Sequence, residues 1–592
     1  MKLIRFTFAC SRKVPFYAQL CNHYLNYQPL EVTVAWKNRC FILEAEGEQQ
    51  QLETLAAAIS EDFLYSIWLT DAQMQVVQER IGGRTPISVA PIEATSMSAS
   101  DAAVPFCNHC HPLFSDNQSA QFGEMGLSCS LCHGEQTVHA AKLKADALSF
   151  SQVQQFAAHL RQNEQTTIGW AGEQYEFRLN PFNDGQRAQV LVCNPNRLAA
   201  HFAVENHHVL ALSSLEKPAI TVPAKQEHSS LELGLFDLRF AWNRVLSVFA
   251  EVLRQQGIDY VFYRTSEPNI NVAWVNGGWS ELSYQPSQPL PAALVGIKEP
   301  LHDSATIDGL TAQWRKNTVS FSQAQGSDTS ERESYALCAL HGGNMEAGIL
   351  RNSAVVYFSD KAPGQLIVLD SRLNSEVFFM LQPLPETGPQ IIEQLCQRGR
   401  GDLVARFGEQ FPHELAALSQ IQFASQRDNL TTVYVAAACI MGLASEDNLS
   451  QQQLADRVVA AAQSYHGKNA QRIDYAFDET TAISGLDFYQ TLASVMAFRL
   501  ATDGDSSMVP KLSFGIMDSL ADYLSTWIEH LDGKHGIKQV VLAGNEMANE
   551  CLTKRIEVRV GKNFTLFANR RLMLDGSNLS AGALLLKQRR RR

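Results

Sequence analysis

Two Cys-x-x-Cys pairs, Cys107-Asn-His-Cys110 and Cys129-Ser-Leu-Cys132, stand eighteen residues apart. No other feature restricts what this chain can fold into as much. Each pair closes a tight turn that aims two thiolates the same way. Two such turns bring four sulfurs to the corners of a tetrahedron, the arrangement of a structural Zn²⁺ site. Residues 106–134 are rich in Ser, Asn, Gln and Gly and hold too little apolar area to order themselves, so the ion has to supply folding free energy. The alternative, four ordinary thiols in a polar loop, would leave the segment with nothing to order it. Four thiolates close the coordination sphere, which leaves no position for water or substrate and makes the ion structural. His109, His111 and His133 share the segment and offer a substitute for one Cys; with a complete cysteine set they are expected around the ligands or in solvent.

A chain of 592 residues exceeds one hydrophobic core, and with 45% apolar and 19% charged residues it should pack as about three to five domains. Forty-nine Lys and Arg against 61 Asp and Glu give a formal net charge of -12, which argues against broad electrostatic binding to nucleic acid or anionic membranes. Only the Arg589–Arg592 run departs from this, as a solvated tail or as a docking handle for an acidic partner or nucleic acid. No stretch approaches the roughly eighteen continuous apolar residues of a membrane span. Met1-Lys-Leu-Ile-Arg-Phe leads into alternation, without an apolar block and cleavage site, so neither a span nor a signal peptide is expected and a cytoplasmic place is. The cysteines outside the knuckles (Cys10, Cys21, Cys40, Cys193, Cys338, Cys396, Cys439 and Cys551) are scattered singly, like reduced thiols in a cytosolic protein.

Residues 1–91 read as a small α/β unit. Leu3 to Ala9 alternates as a strand, Phe16 to Leu25 has helical spacing, Leu30 to Ala45 is a hairpin turning at Lys37-Asn38, and Gln51 to Ile59 is a second helix. With Pro15-Phe16 and Glu46-Gly47, this order resembles the acylphosphatase-like domain that opens the HypF family of hydrogenase maturation carbamoyltransferases. In that family a loop of type G-x-V-Q-G-V-G-F-R-P-F holds the phosphate of carbamoyl phosphate with backbone amides and an arginine. This chain has Ala9-Cys10-Ser11-Arg12-Lys13-Val14-Pro15-Phe16, without the glycines and with Val14 in the arginine's place. Arg12 and Lys13 are the cations at hand, and acyl phosphate hydrolysis is not expected here.

Residues 92–105 are small and polar enough for a linker. The cysteine pairs then resemble the family's zinc fingers in place and spacing, one finger where the family has two. From Ser149 the pattern is again α/β: Phe150 to Arg161 and Asn196 to Val204 read as helices, Thr167 to Trp170 and Ala188 to Cys193 as strands, and Ala241 to Gln256 as a strongly amphipathic helix. Val192-Cys-Asn-Pro-Asn-Arg and Leu212-Ser-Ser-Leu-Glu-Lys-Pro resemble the family's YrdC-type domain, which makes an acyl adenylate from ATP and needs a cluster of cations ahead of a K-P step. Here Asp184-Gly-Gln-Arg187 offers one arginine, and the family's T-S-G-N turn is Thr265-Ser266-Glu267-Pro268-Asn269.

From about Pro291 to Arg592 the chain resembles the family's carbamoyltransferase domain, an actin-like kinase fold with a metal and a nucleotide. The matching pieces are Gln382-Pro-Leu-Pro-Glu-Thr-Gly, the helix from Val435 to Leu443, Val541-Leu-Ala-Gly-Asn-Glu-Met-Ala-Asn549 and Asp575-Gly-Ser-Asn-Leu-Ser-Ala-Gly582. Family members carry H-H-H-A-H, D-G-T-G-x-G, S-G-G-V-F-Q-N and N-D-G-G at such places. The counterparts are His341-Gly342-Gly343-Asn344-Met345, Ser359-Asp360-Lys361-Ala362-Pro363-Gly364, Ala543-Gly544-Asn545 and Asp575, the last after a one-residue shift. The resemblance thus leaves His341 and Asp575 as candidates for catalysis, and Arg187, Gly544 and Asn545 for nucleotide binding. One imidazole and one carboxylate fall short of the two-His-plus-carboxylate set of a catalytic metal. By itself, His341 reads as a loop histidine beside a Gly-Gly turn.

The expectation is an α/β multidomain protein. It has an acylphosphatase-like α/β sandwich over 1–91, a linker and a single four-cysteine zinc finger with ligands Cys107, Cys110, Cys129 and Cys132 over 92–148, a YrdC-like α/β domain over 149–290, and an actin-like-kinase-type carbamoyltransferase domain over 291–592. The family passes a carbamoyl group from carbamoyl phosphate, through carbamoyl adenylate, to the C-terminal cysteine of HypE, as the precursor of cyanide ligands in nickel-iron hydrogenase. The resemblance implies that reaction; the eroded motifs predict little or no catalysis, a structural zinc, and weak or absent ATP binding. The alternative is a non-catalytic scaffold or regulator that binds hydrogenase maturation proteins, HypE-like ones first, with no membrane or nucleic-acid partner.

Overall fold

The computed structural model describes residues 1–88, 106–127, 129–133, 148–170, 173–225, 231–266, 269–282, 290–291, 295, 297, 299–324, 334–347, 351–444, 449–478 and 484–586. The linker at 92–105 and the Arg589–Arg592 run fall outside these. The chain forms two compact units, one made of Met1–Asn183, Ala188–His228 and Phe236–Ile270, the other of Asp184–Arg187, Ser229–Leu235 and Asn271–Arg592.

The first unit begins with β1 (Lys2–Cys10), α1 (Pro15–Tyr24), β2 (Glu31–Lys37), β3 (Cys40–Gly47), α2 (Gln49–Asp62) and β4 (Leu69–Val77). The strands form an antiparallel sheet in the order β2-β3-β1-β4, on which both helices pack. The hairpin turns at Asn38-Arg39, one residue later than the sequence predicts, because Lys37 still pairs with Cys40 while Asn38 and Arg39 take left-handed φ values of 51° and 64°. Pro15 opens α1, where its missing N–H is no loss, and a Glu48/Gln51 capping box opens α2. Phe8 of β1 stacks on Phe63 at 4.2 Å, with Tyr17 tilted against both rings. Glu44, fully buried, pairs with Arg5 at 2.6 Å and accepts the Gly82 N–H at 2.8 Å, which fixes the chain beyond β4.

Next come α3 (His111–Ser115), which follows Cys110, and α4 (Ser130–His133). They are succeeded by α5 (Phe150–Asn163), β5 (Gln165–Trp170), β6 (Glu173–Arg178), β7 (Ala188–Val192), α6 (Leu198–His201), α7 (Asn206–Ser213), β8 (Ala219–Pro223), β9 (Leu235–Arg239), α8 (Arg244–Gln255) and β10 (Tyr260–Thr265). Six strands run in the order β8-β9-β7-β10-β6-β5, parallel from β9 to β7 and antiparallel from β7 onward. α8 starts three residues later than its apolar spacing suggests, because Asn243 caps it by accepting the Leu246 N–H at 2.9 Å. It buries Val245, Leu246, Val248, Phe249, Val252 and Leu253, each worth about 1.5–3 kcal/mol of transfer free energy.

The second unit opens with a hairpin of β11 (Asn271–Val275) and β12 (Gly278–Glu281). An antiparallel sheet in the order β13-β16-β15-β14 follows, from β13 (Leu290–Pro291), β14 (Ser304–Ile307), β15 (Leu310–Arg315) and β16 (Thr318–Gln323). After α9 (Tyr335–Ala347) come β17 (Ser353–Tyr357), β18 (Gln365–Leu369) and β19 (Ser375–Met380), then helices α10 (Gly388–Leu395), α11 (Gly401–Gln410), α12 (Pro412–Gln420), α13 (Leu430–Met441) and α14 (Gln451–Ser464). A two-residue pair, β20 (Phe477–Asp478) and β21 (Gly485–Leu486), precedes α15 (Phe488–Ala501) and α16 (Val509–His535). The chain then runs through β22 (Gln539–Ala543), α17 (Glu550–Arg559), β23 (Thr565–Ala568) and α18 (Ser577–Ala583).

The main sheet has the order β19-β18-β17-β22-β23, antiparallel from β17 to β19 and parallel from β17 through β22 to β23. β17, β18 and β22 are buried at every position, as strands covered on both faces must be. Their period of two divides the residues between two cores. Ala354, Val356, Leu366 and Leu542 join the helices from α13 to α17, whereas Val355, Tyr357, Ile367 and Val541 join α9, α18 and the smaller sheet. Among the described residues, no helix is long and apolar enough to cross a membrane.

One expectation fails here. His341-Gly342-Gly343 is no loop and turn: it lies inside α9. The glycines serve close packing instead, since a Cβ on Gly342 would stand 2.4 Å from the Asn578 carbonyl oxygen, and one on Gly582 would stand 2.0 Å from that of Cys338. α9 and α18 meet backbone to backbone, which only hydrogen at those positions permits.

Candidate functional site

The sulfurs of Cys107, Cys110 and Cys129 lie within 4.8 Å of one another, with Cys107 at 3.9 Å from Cys110 and 3.6 Å from Cys129. Zn–S bonds of about 2.3 Å at tetrahedral angles put sulfurs about 3.8 Å apart, whereas a disulfide needs about 2.05 Å, so the donor set fits zinc. Cys107 and Cys110 are 2% exposed. The side chain of Cys132 lies outside the described residues, as does that of His133. The knuckle is tied to the end of α2: Asn108 Nδ2 donates to the Glu61 carbonyl at 2.7 Å, and His109 Nε2 meets Asp62 Oδ1 at 2.7 Å, while Tyr24 donates to the other Asp62 oxygen at 2.6 Å. His111 stacks on Phe106 at 4.8 Å and lies edge-on to Phe114, and burial pushes its imidazole down to about 4. Neither histidine stands in the thiolate group.

The loop after β1 is closed from within. The Cys10 N–H goes to the Arg39 carbonyl at 2.9 Å and the Ser11 N–H to that of Trp68 at 2.8 Å, so these amides face no anion. Val14 is 3% exposed, a core residue. The Arg12 guanidinium lies over the Trp68 ring at 4.1 Å, and Lys13 Nζ donates to the Ser88 carbonyl at 2.5 Å.

Arg187 is committed elsewhere. It forms a two-pronged pair with the buried Asp456 of α14, Nε to Oδ2 at 2.8 Å and Nη2 to Oδ1 at 2.7 Å. Two other cations, Lys217 and Arg239, come together in the first unit, and no motif in the sequence singles out Arg239. Its Nε donates to the Lys217 carbonyl at 2.7 Å, Nη1 reaches Asn269 Oδ1 at 2.5 Å, and the guanidinium lies 3.8 Å over Trp242. Burial draws the Lys217 ammonium down to about 8, and its Nζ donates to the Ser213 carbonyl at 2.7 Å. The only hint in the sequence was an arginine at the end of an apolar strand.

In the second unit the loops after β17 and β22 converge on Asp575, which is 1% exposed. Asp575 Oδ1 accepts from Tyr357 at 3.0 Å, and Oδ2 accepts from Ser359 at 2.7 Å and from the Asn545 N–H at 3.2 Å. Burial pushes this carboxyl up, opposed by those donors and by the Lys361 charge. Asn545 is itself paired both ways with Asp360: its Nδ2 donates at 2.6 Å, and the Asp360 N–H returns a bond of 3.1 Å. Gly544 takes φ 97°, and a Cβ there would stand 1.9 Å from the Phe358 carbonyl oxygen, so only glycine brings the two loops together. Lys361 Nζ donates to Asp308 in the β14-β15 turn at 2.7 Å. At the N-terminus of α13, Asn429 accepts the Thr432 N–H at 2.9 Å, and Glu546 accepts the N–H groups of Leu430 and Thr431 at 3.1 and 2.6 Å. The amides with which a helix could bind phosphate therefore meet an internal carboxylate.

His341 Nδ1 is buried without a hydrogen bond, and burial lowers its imidazole to about 4. Among the described residues, neither His341 nor Asp575 belongs to a group of three metal-ligating side chains.

No family model matches the chain. A stretch of 204 residues, 34% of the chain, is 24% identical to Protein HydE of Wolinella succinogenes and takes in 36% of that protein's length. The fold is similar to the crystal structure of full-length HypF in the phosphate- and nucleotide-bound form, with 12% identity, 98% of each chain covered and a TM-score of 0.59. It is similar also to the crystal structure of T. kodakarensis HypF, with 11% identity, 99% of this chain and 98% of that one covered, and a TM-score of 0.59. At these identities the likeness is one of architecture, and the architecture is that of HypF.

Proposed function

We propose that this chain serves nickel-iron hydrogenase maturation as a HypF-like protein that binds maturation partners, a HypE-like protein first, and that it carries out no carbamoyl transfer. The HypF architecture and the partial likeness to Protein HydE support the first half. The observation that carries the second is the closure around Asp575 and Glu546: both carboxylates face donors of their own chain. Carbamoyl transfer through an adenylate builds negative charge that free donors must meet, and losing one such donor typically costs about 10² to 10³ in rate. Here Arg187 is held by Asp456 and Val14 lies in the core, so several losses act in series. Cys107, Cys110 and Cys129, with Cys132 as fourth ligand, would hold a zinc ion whose task is to order the knuckle. The site of action is the cytoplasm in this reading.

The test is incubation of the purified chain with carbamoyl phosphate, ATP and HypE, followed by the mass of HypE. No carbamoyl gain is expected, while HypE is retained on the immobilised chain. A gain that disappears on His341→Ala or Asp575→Ala would restore the family's reaction, and absence of any retention would remove the binding role.

A further inference from the structure

Arg244 is the first residue of α8 and is 2% exposed. A guanidinium keeps its proton in proteins, so burying one demands acceptors around its fork. The cysteine knuckle supplies them. Nη1 donates to the carbonyl oxygens of Met125, at 3.1 Å, and of Leu127, and Nη2 reaches Cys110 Sγ at 3.7 Å. The cation also lies 5.0 Å from the centre of the Phe114 ring. Met125 and Leu127 stand on the approach to Cys129, and Cys110 completes the first pair, so one side chain of α8 touches a ligand of the first pair and the backbone that leads to the next. The three thiolates of Cys107, Cys110 and Cys129 already carry more negative charge than one Zn²⁺ neutralises, and a fixed cation nearby is most effective where water is excluded.

We infer that Arg244 is a positioning residue of the metal centre, which balances the excess thiolate charge and makes ion binding and the docking of the first turn of α8 a single event. Val245, Leu246 and Phe249 of that helix pack in one core with Cys107, Cys110 and Phe114. Releasing the ion frees the turns that carry the Met125 and Leu127 carbonyls, leaves the guanidinium short of acceptors, and so loosens α8 from its sheet.

Two measurements on the full chain test this. The first is amide hydrogen exchange over residues 244–253 of the unmutated protein, with zinc bound and after its removal by a chelator. Faster exchange on removal is expected, and unchanged exchange overturns the coupling whether or not any variant folds. The second compares Arg244→Met and Arg244→Lys by chelator competition for zinc and by the sulfur-to-cobalt charge-transfer band of the Co²⁺-loaded protein. Zinc affinity should fall about 10- to 100-fold in the Met variant and recover in part with Lys. The cobalt band should move to lower energy once the cation is gone. Unaltered affinity with an unmoved band would leave Arg244 a mere packing residue.

Discussion

Glu546 and Thr431 are joined twice: Glu546 Oε1 accepts the Thr431 backbone N–H at 2.6 Å and its hydroxyl at 2.7 Å. Through this pair the β22 loop plugs the N-terminus of α13 with a carboxylate from the same chain.

Burial pushes the Glu546 carboxyl from 4.5 up to about 7, against the pull of the Thr431 and Leu430 donors. A carboxyl raised in the folded state favours folding fully below its unfolded pKa, and that contribution is lost as pH rises through the folded one. Glu546→Gln removes the titration. Between about pH 4.5 and 7.5, urea unfolding should show the unmutated chain losing on the order of 1–3 kcal/mol relative to the variant. A difference that does not change with pH would mean the group titrates as an ordinary carboxyl.

Metal content should follow the cysteines. Cys107→Ser together with Cys129→Ser removes two of the three thiols seen within 4.8 Å of one another. Stoichiometric zinc is expected in the unmutated protein by elemental analysis, and loss of zinc with new protease cleavage between residues 105 and 135 in the double variant. Zinc-free protein with unaltered protease resistance would mean that these thiols hold no ion.

The α9-α18 contact should tolerate no methyl group. Gly582→Ala places a Cβ 2.0 Å from the Cys338 oxygen, and forcing the helices apart should cost on the order of 1–3 kcal/mol in denaturant unfolding. Gly533→Ala is the control, because a Cβ there meets nothing within 4 Å along α16; it should be neutral or stabilising by up to about 1 kcal/mol. Equal effects of the two changes would show that the helices have room.

What the sequence revealed follows the reach of each signal. The hairpin turn, to within one residue, and the approach of Cys107 to Cys110 were legible because each depends on neighbours a few residues away. Arg187 read as the last cation of a nucleotide site, because nothing nearby announces that Asp456, far along the chain, holds it. Two glycines usually interrupt a helix, so from the sequence His341 reads as a loop residue; in α9 Gly342 answers instead to the backbone of α18 and Gly343 to the Val541 side chain of β22, which no local pattern encodes. The closure of Asp575 draws on Tyr357, Ser359 and Asn545, all far away in sequence. The residues were visible as candidates, but what they bond to was not.

The parallel pairing of β17 with β22 sets Ser353 beside Gln539 and Tyr357 beside Ala543, with the helices from α10 to α16 lying between the two strands in the chain. During synthesis, β17 therefore waits for its partner until Ala543 has left the ribosome, its apolar face covered only by provisional neighbours. Long-range parallel pairing is slow to form and exposed to aggregation while it is incomplete. A nascent chain halted before β22 should thus be the form that chaperones hold, and yield on expression should depend on what happens in that interval more than on the stability of the finished fold.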